Sequence, residues 1–241
     1  MLVKMGMTRV SNLKAWAALL VVGLLVTLLV LALSACSGGG EAGGQEEEAN
    51  ARTLPEQHQE LRPGEYRTEE FKPSVSFRVG EGWLTSPPEA SDVLELEYGE
   101  TAGLAFTNVQ EVFKPTESGT IQLAELPEDL AAWFQHHPYL KTGKPEPITV
   151  GGVKGVEFDV AVIEDLPEDH ASPCGTDCVD IFQQGAGHQV VQYKGDKTHY
   201  VVLEDVEGDT VTIDYGGLAM DFDKVAPQAQ KLVDSVKWGG S

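Results

Sequence analysis

Alternation of apolar and polar residues along residues 68–238 is the feature that most restricts how this chain can fold. Val75, Phe77 and Val79 alternate with polar neighbours, and residues 93–98 and 156–162 repeat the pattern. Successive side chains of a strand point to opposite faces, so this period predicts half-buried strands. Further strands are predicted in residues 103–113, 147–150, 188–194, 198–204 and 209–215. Turn residues at Gly151-Gly152, Gly195-Asp196 and Glu207-Gly208 leave short connections, which favour antiparallel pairing.

Two segments have helical spacing instead. In residues 126–138, Pro127 suits the first helical position and Pro138 ends the helix, with Leu130, Trp133, Phe134 and His137 on one face. Residues 225–236 repeat apolar positions at the same spacing, with Pro227 in the first turn. Each helix has one apolar face, so we expect both to lie on the sheet. The predicted fold class is α+β: one domain over residues 68–241, a mainly antiparallel β-sheet flanked by two principal helices.

The N-terminus has the layout of an export signal. Residues 1–35 contain Lys4, Arg9 and Lys14, no acidic residue, and an uncharged apolar run over 15–35. The residues before Cys36, Leu33-Ser34-Ala35, resemble the lipobox of bacterial lipoproteins, which implies cleavage before Cys36 and lipidation of its thiol. An uncleaved signal anchor is the alternative, because the apolar run approaches the length of a membrane span. Both interpretations predict a domain that faces outside the cytoplasm of a bacterial cell, held at the membrane.

Residues 36–67 are predicted to form a flexible acidic tether, because they are rich in Gly and Glu and poor in apolar residues. The full chain has a formal net charge of −21. Such a surface repels phosphate, so nucleic acid is excluded as a partner, and so is docking on anionic lipid head groups.

The segment 164–180 combines two cysteines with many acidic residues. Cys174 and Cys178 are expected to form a disulfide, since the protein is predicted to be exported. The spacing of these cysteines does not match a Cys-x-x-Cys redox motif, and no second ligand pair is spaced for zinc. Calcium binding by the loop is the less favoured alternative to a solvated acidic loop, because its spacing matches no EF-hand. We predict that the loop is the partner-facing surface, with these candidate residues: Glu164, Asp165, Glu168, Asp169, His170, Asp177 and Asp180.

A search for catalytic motifs assigns no catalytic residue, metal site or cofactor. The sequence contains no Gly-x-Ser-x-Gly elbow, His-Glu-x-x-His motif or P-loop. His136 and His137 are adjacent on a predicted helix, so they point about 100° apart and are expected to be one packed and one exposed residue. Trp83 and Trp238 end their elements and are interpreted as covers of the core rather than as ligand platforms.

The order of these signals resembles a known family. The lipobox, "FKPSVSFRVGEGW", "LPEDLAAWFQHHPYL", "PEPITVGGVKGVEFDV", a cysteine loop and "AQKLVDSVKW" are similar to a family of bacterial lipoproteins. The resemblance implies a fold similar to that of the Mog1/PsbP and LpqN group, an antiparallel sheet flanked by helices. The resemblance implies a fold, and no functional residue is transferred by it.

Three functional hypotheses follow from the sequence. The first is a lipid-anchored binding or accessory module for an envelope protein or a cell-wall component. The second is a cell-envelope hydrolase whose site is assembled only in three dimensions. The third is a transporter's substrate-binding protein, which is less favoured because about 170 ordered residues are few for two lobes.

Overall fold

The computed structural model describes residues 51–56, 58–86, 89–115, 121–168, 170, 172–184 and 189–239. The two helices of this part are α1 (Leu130–His136) and α2 (Phe222–Val233). Its strands are β1 (Arg52–Thr53), β2 (Gly64–Arg67), β3 (Val75–Val79), β4 (Trp83–Ser86), β5 (Val93–Tyr98), β6 (Ala102–Asn108), β7 (Glu111–Pro115), β8 (Ile121–Glu125), β9 (Leu140–Thr142), β10 (Glu146–Val150), β11 (Val153–Val162), β12 (Cys178–Gln183), β13 (Gln189–Tyr193), β14 (Asp196–Val206), β15 (Asp209–Leu218) and β16 (Lys237–Trp238).

The centre of the fold is an antiparallel sheet in the order β10-β11-β14-β15-β6-β5-β4, with β9 also paired to β11. Two smaller sheets accompany it, β1-β2-β3-β16 and β13-β12-β7-β8. Within the described residues, β1 and β2 pair in parallel and the other pairs are antiparallel. The predicted α+β class, a mainly antiparallel sheet with two helices in a single domain, is confirmed.

Both faces of the central sheet are covered. On β14, Val201 and Leu203 belong to one apolar core, which α2 and β3 share, whereas Tyr200 and Val202 belong to a second core, which α1 and β12 share. Side chains that alternate between two cores explain why β14 is apolar over several consecutive residues. The alternating strand β3, in contrast, buries Val75, Phe77 and Val79 on one side only.

The first helix begins later than predicted. It starts at Leu130 rather than at Pro127, and the Asp129 carboxylate accepts a hydrogen bond from the backbone N–H of Ala132 at 2.7 Å. Asp is a preferred N-cap, because its side chain satisfies an N–H that the first helical turn leaves free. In the second helix, Pro227 lies in the second turn rather than in the first.

The ordered domain begins earlier than the predicted boundary at residue 68. The tether predicted over residues 36–67 includes residues 52–67, but these residues contain β1 and β2. Leu54, Leu61 and Tyr66 from this segment are buried in the core that α2 shares. These apolar residues offset the ordering entropy of the segment, so the tether prediction is corrected for residues 52–67. The predicted signal peptide (residues 1–35) and Cys36 lie outside the described residues.

One predicted hairpin is also corrected. The turn at Gly195-Asp196 joins β13 to β14, which belong to different sheets, so the two strands do not pair. The turns at Gly151-Gly152 and Glu207-Gly208 do close the hairpins β10-β11 and β14-β15. Neither described helix has the length and apolar character needed to cross a membrane.

Candidate functional site

The predicted partner-facing loop is held from inside by buried polar side chains. Cys174 and Cys178 form the expected disulfide, with Cα atoms 6.1 Å apart. His170 is buried, and its Nε2 donates to the carbonyl oxygen of Cys178 over 2.7 Å. Asp180 is also buried and accepts hydrogen bonds from the hydroxyl of Ser172 and the backbone N–H of Cys174. His170 and Asp180 therefore fix the conformation of the loop rather than face a partner.

The other members of the predicted set behave differently. The exposed ones are Glu164, Asp165, Glu168 and Asp177, and Asp169 lies outside the described residues. The loop thus separates into an inward group, which maintains its shape, and an outward group of carboxylates available to a partner.

A cavity of about 620 Å³ lies next to Glu164. It is bordered by the end of β11, by β9, by the β13–β14 turn and by the residue after β15. Val160, Val162 and Ala219 give it an apolar lining. The backbone N–H of Lys194, at the cavity border, donates to the carbonyl oxygen of Asp177 over 2.8 Å. The disulfide loop and the cavity are therefore directly connected.

Charges of both signs border the cavity. They are Lys141, Lys194, Lys197, Asp159, Glu164 and Asp196. The Lys197 ammonium is 2.8 Å from the Asp159 carboxylate and 4.1 Å from the ring centre of Phe222. This ion pair is partly exposed, so it contributes little to stability. The cavity border is close to neutral overall, unlike the strongly acidic chain.

His199 links the cavity border to Tyr215 on β15. Its Nδ1 is 2.8 Å from Asp159 and its Nε2 is 3.2 Å from Glu157, while its ring stacks on Tyr215 at 5.0 Å. Burial alone would raise the pKa of Asp159, but hydrogen bonds from Lys197 and His199 outweigh it and lower the pKa. Burial raises the pKa of Asp196. Asp159 is thus held ionised at the border.

Exposed apolar residues adjoin, along the chain, Lys194 and Ala219, which line the cavity. Met220 is 81% exposed, Tyr193 51% and Leu218 41%. Leu218 is the pairing partner of Asp196, and the N–H of Ala219 donates to the carbonyl of Gly195 over 3.1 Å. These three side chains, the apolar rim, therefore flank the two turns that border the cavity. Among the described residues, Leu123 is the other large apolar side chain with comparable exposure, and it lies on β8.

Sequence reasoning did not identify the apolar rim or the cavity. Leu218 and Met220 follow a strand and precede a helix, so their apolar character resembles that of core residues. The lysines at the border come from separate segments of the chain, and no motif links them. Glu164 and Asp177 are the predicted residues that the structure connects to this site.

The described histidines bond to carboxylates and backbone groups. His199 contacts Glu157 and Asp159, His58 contacts Glu97, and His170 contacts a carbonyl oxygen. Within the described residues, no three His, Cys, Asp or Glu side chains converge to hold a metal ion.

The structure also places the two histidines and the two tryptophans that the sequence singled out. His137, which follows the last residue of α1, is buried, and His136 is exposed, so one is packed and one is exposed as predicted. Trp83 is buried in the core. The half-buried Trp238 donates from Nε1 to the carbonyl oxygen of Val150 over 3.1 Å.

Comparison with known families and curated proteins gives no match for this chain. Comparison with solved structures gives distant likenesses, among them two proteins. The cyanobacterial PsbP protein CyanoP of Synechocystis sp. PCC 6803 aligns at a TM-score of 0.39 and 12% identity, over 86% of this chain and 99% of its own. LpqN of Mycobacterium tuberculosis, involved in cell envelope biogenesis, aligns at 0.33 and 10%, over 76% of this chain and 91% of its own. At these values neither alignment assigns an activity or a partner to the chain.

Proposed function

We propose that the chain is a lipid-anchored binding module of the bacterial cell envelope, displayed outside the cytoplasm. The segment Leu33-Ser34-Ala35-Cys36 supports this location, because it combines a lipobox pattern with a preceding basic and apolar segment. The Cys174–Cys178 disulfide is consistent with an oxidising compartment, where such bonds persist.

The observation that carries the binding role is the apolar rim. Tyr193, Leu218 and Met220 are exposed, and each directly precedes or follows a residue that lines a cavity with an apolar lining. An exposed apolar group with polar surroundings is typical of an interaction site, because its burial by a partner is favourable. The proposed partner is an envelope protein that inserts an apolar side chain into the cavity and places charged groups against Lys194 and Glu164.

The contacts of the described histidines favour binding over hydrolysis. A hydrolase of the nucleophile type that uses a histidine base needs this histidine within hydrogen-bond reach of a hydroxyl or thiol. The hydrogen bonds of His199 go instead to two carboxylates, which keep its ring in a structural network with Lys197 and Tyr215.

The experiment for the binding role compares two single substitutions in the full chain. Met220→Asp should abolish retention of a specific partner from detergent-solubilised envelope membranes, whereas Leu123→Asp should retain it. Leu123 is the matched control because it is 40% exposed and belongs to a different sheet. Equal partner retention by the two variants would contradict the proposal.

The experiment for anchoring is independent of the partner. Cys36→Ser should leave an uncleaved precursor without lipid, while the unmodified sequence gives a cleaved, acylated N-terminus in mass spectra. An intact, unacylated N-terminus on the membrane-bound protein would contradict the anchoring proposal and leave the binding proposal standing.

A further inference from the structure

Met220 combines an oxidisable sulfur atom with unusual exposure. It is the single methionine of residues 37–241, and the other two sulfur atoms of that range are joined in the Cys174–Cys178 disulfide. Methionine is among the residue types most often found buried, yet Met220 is 81% exposed. A two-electron oxidant such as hydrogen peroxide therefore meets one accessible thioether, and no free thiol, among residues 37–241.

The backbone on both sides of Met220 keeps its side chain in solvent. The N–H of Asp221 donates to the carbonyl oxygen of Leu218 over 2.8 Å, which closes a tight turn around Met220. Before Met220, the N–H of Ala219 is bonded to the β13–β14 turn over 3.1 Å. After it, the Asp221 carboxylate accepts a hydrogen bond from the hydroxyl of Thr101 over 3.1 Å. The exposure of Met220 is therefore a property of the folded turn.

We propose that Met220 is a site of reversible oxidation and that its oxidation releases the envelope partner. The release rests on the proposed binding function, whereas the oxidation does not. In the reaction, the sulfur lone pair attacks one oxygen of the peroxide, so that an S–O bond forms and the O–O bond breaks. The second oxygen leaves as water with both protons, and the sulfur loses two electrons. A dithiol reductant returns these electrons, becomes a disulfide and removes the sulfoxide oxygen as water.

Oxidation changes the apolar rim at its most exposed member. The thioether is apolar and flexible, whereas the sulfoxide carries a dipole and an oxygen that accepts hydrogen bonds. A partner surface that covers apolar groups gives this oxygen no donor, so its burial carries an uncompensated desolvation cost. We expect partner affinity to fall about tenfold or more. The fold should not change, because the oxygen is added to a side chain that is already in water.

The oxidation is tested first, without a partner. The full chain in detergent is treated with dilute hydrogen peroxide, and peptide mass spectra locate the added oxygen. We expect one oxygen on Met220, at a rate within about threefold of that of N-acetylmethionine amide, and its removal by a methionine sulfoxide reductase with a dithiol. The midpoint of urea unfolding should stay the same. A rate at least about tenfold below that of the free amide, or a sulfoxide that the reductase does not repair, would overturn the proposal.

Two substitutions separate the sulfur chemistry from the rest of the surface. Met220→Leu keeps an apolar side chain of similar volume without a thioether, so it should retain the partner before and after peroxide treatment. Met220→Gln places a polar amide at this position, so it should bind like the oxidised chain without any peroxide. Loss of the partner from peroxide-treated Met220→Leu would show that another group is the sensitive one and would overturn the proposal.

The inference and the proposed function fail in different ways. If the untreated chain retains no specific envelope protein, the binding function fails, and the release that depends on it fails as well. If the untreated and the oxidised chain retain the same protein equally, the binding function stands and the inference is wrong. Retention by the untreated chain, loss after oxidation and recovery after repair by the reductase are the results that we expect.

Discussion

Asp214→Asn should stabilise the fold, and more so as the pH rises. The pKa of Asp214 is raised from an ordinary value of 3.8 to about 7, first by burial and then by the charge of Glu95. A carboxyl group whose pKa is raised in the folded state does not lower the free energy of unfolding below pH 4. Its penalty grows as the pH rises toward 7 and is complete above that.

The magnitude follows from this difference in pKa. At 1.36 kcal/mol per pH unit, the ionised carboxylate at pH 8 costs about 4 kcal/mol of unfolding free energy. The Asn amide also has to be desolvated, so the net gain should be about 2–4 kcal/mol at pH 8 and near zero at pH 4. Since Glu95 contributes to the shift, Glu95→Gln should lower the pKa of Asp214 and recover a smaller part of this free energy.

Urea unfolding of the unsubstituted chain and of Asp214→Asn, at intervals between pH 4 and pH 8, measures the difference in unfolding free energy directly. Glu204→Gln is the matched control, because an exposed carboxylate should change stability by less than about 0.5 kcal/mol at any pH. A gain that does not vary with pH, or a loss at pH 8, would refute the reasoning.

Three further predictions concern the rest of the domain. Leu61→Ala should lower the free energy of unfolding, measured in urea, by about 2–4 kcal/mol, because Leu61 is buried in the core. A negligible change would show that residues 52–67 belong to the tether. Replacing Cys174 and Cys178 by Ser should cost at most about 2 kcal/mol, because the closed ring is short, and thiol titration of the native protein should find both cysteines oxidised. Burial, and then the charge of His170, lower the pKa of His137 from 6.5 to about 4. Stability should therefore be full above pH 6.5 and fall by about 3 kcal/mol toward pH 4, and His137→Asn should remove most of this loss; an unchanged acid profile would contradict the assignment.

Three strands were predictable from the alternation of apolar and polar residues. Val75, Phe77 and Val79 alternate with polar residues because β3 has one face in the core, and the same reasoning located β5 and β11. The N-terminal strands were missed because Leu54 and Leu61 stand apart among charged residues and become core residues only through long-range packing. Local sequence does not contain that information.

The candidate site was only partly predictable. The disulfide and the exposure of Glu164 and Asp177 follow from local composition and from the predicted export. The inward position of Asp180 could not be inferred, because its hydrogen bonds to Ser172 and Cys174 depend on the folded loop. The apolar rim depends on exposure, a property that apolar residue types by themselves do not reveal.

The central claim is that the apolar rim is the surface that meets an envelope partner. Its most direct test is photo-crosslinking in native membranes, with a photoreactive amino acid at Met220 in one full-length chain and at Leu123 in another. We expect a discrete crosslinked protein from position 220 and none from position 123, because only the former adjoins a residue that lines the cavity. No adduct at position 220, or the same adduct from both positions, would contradict it.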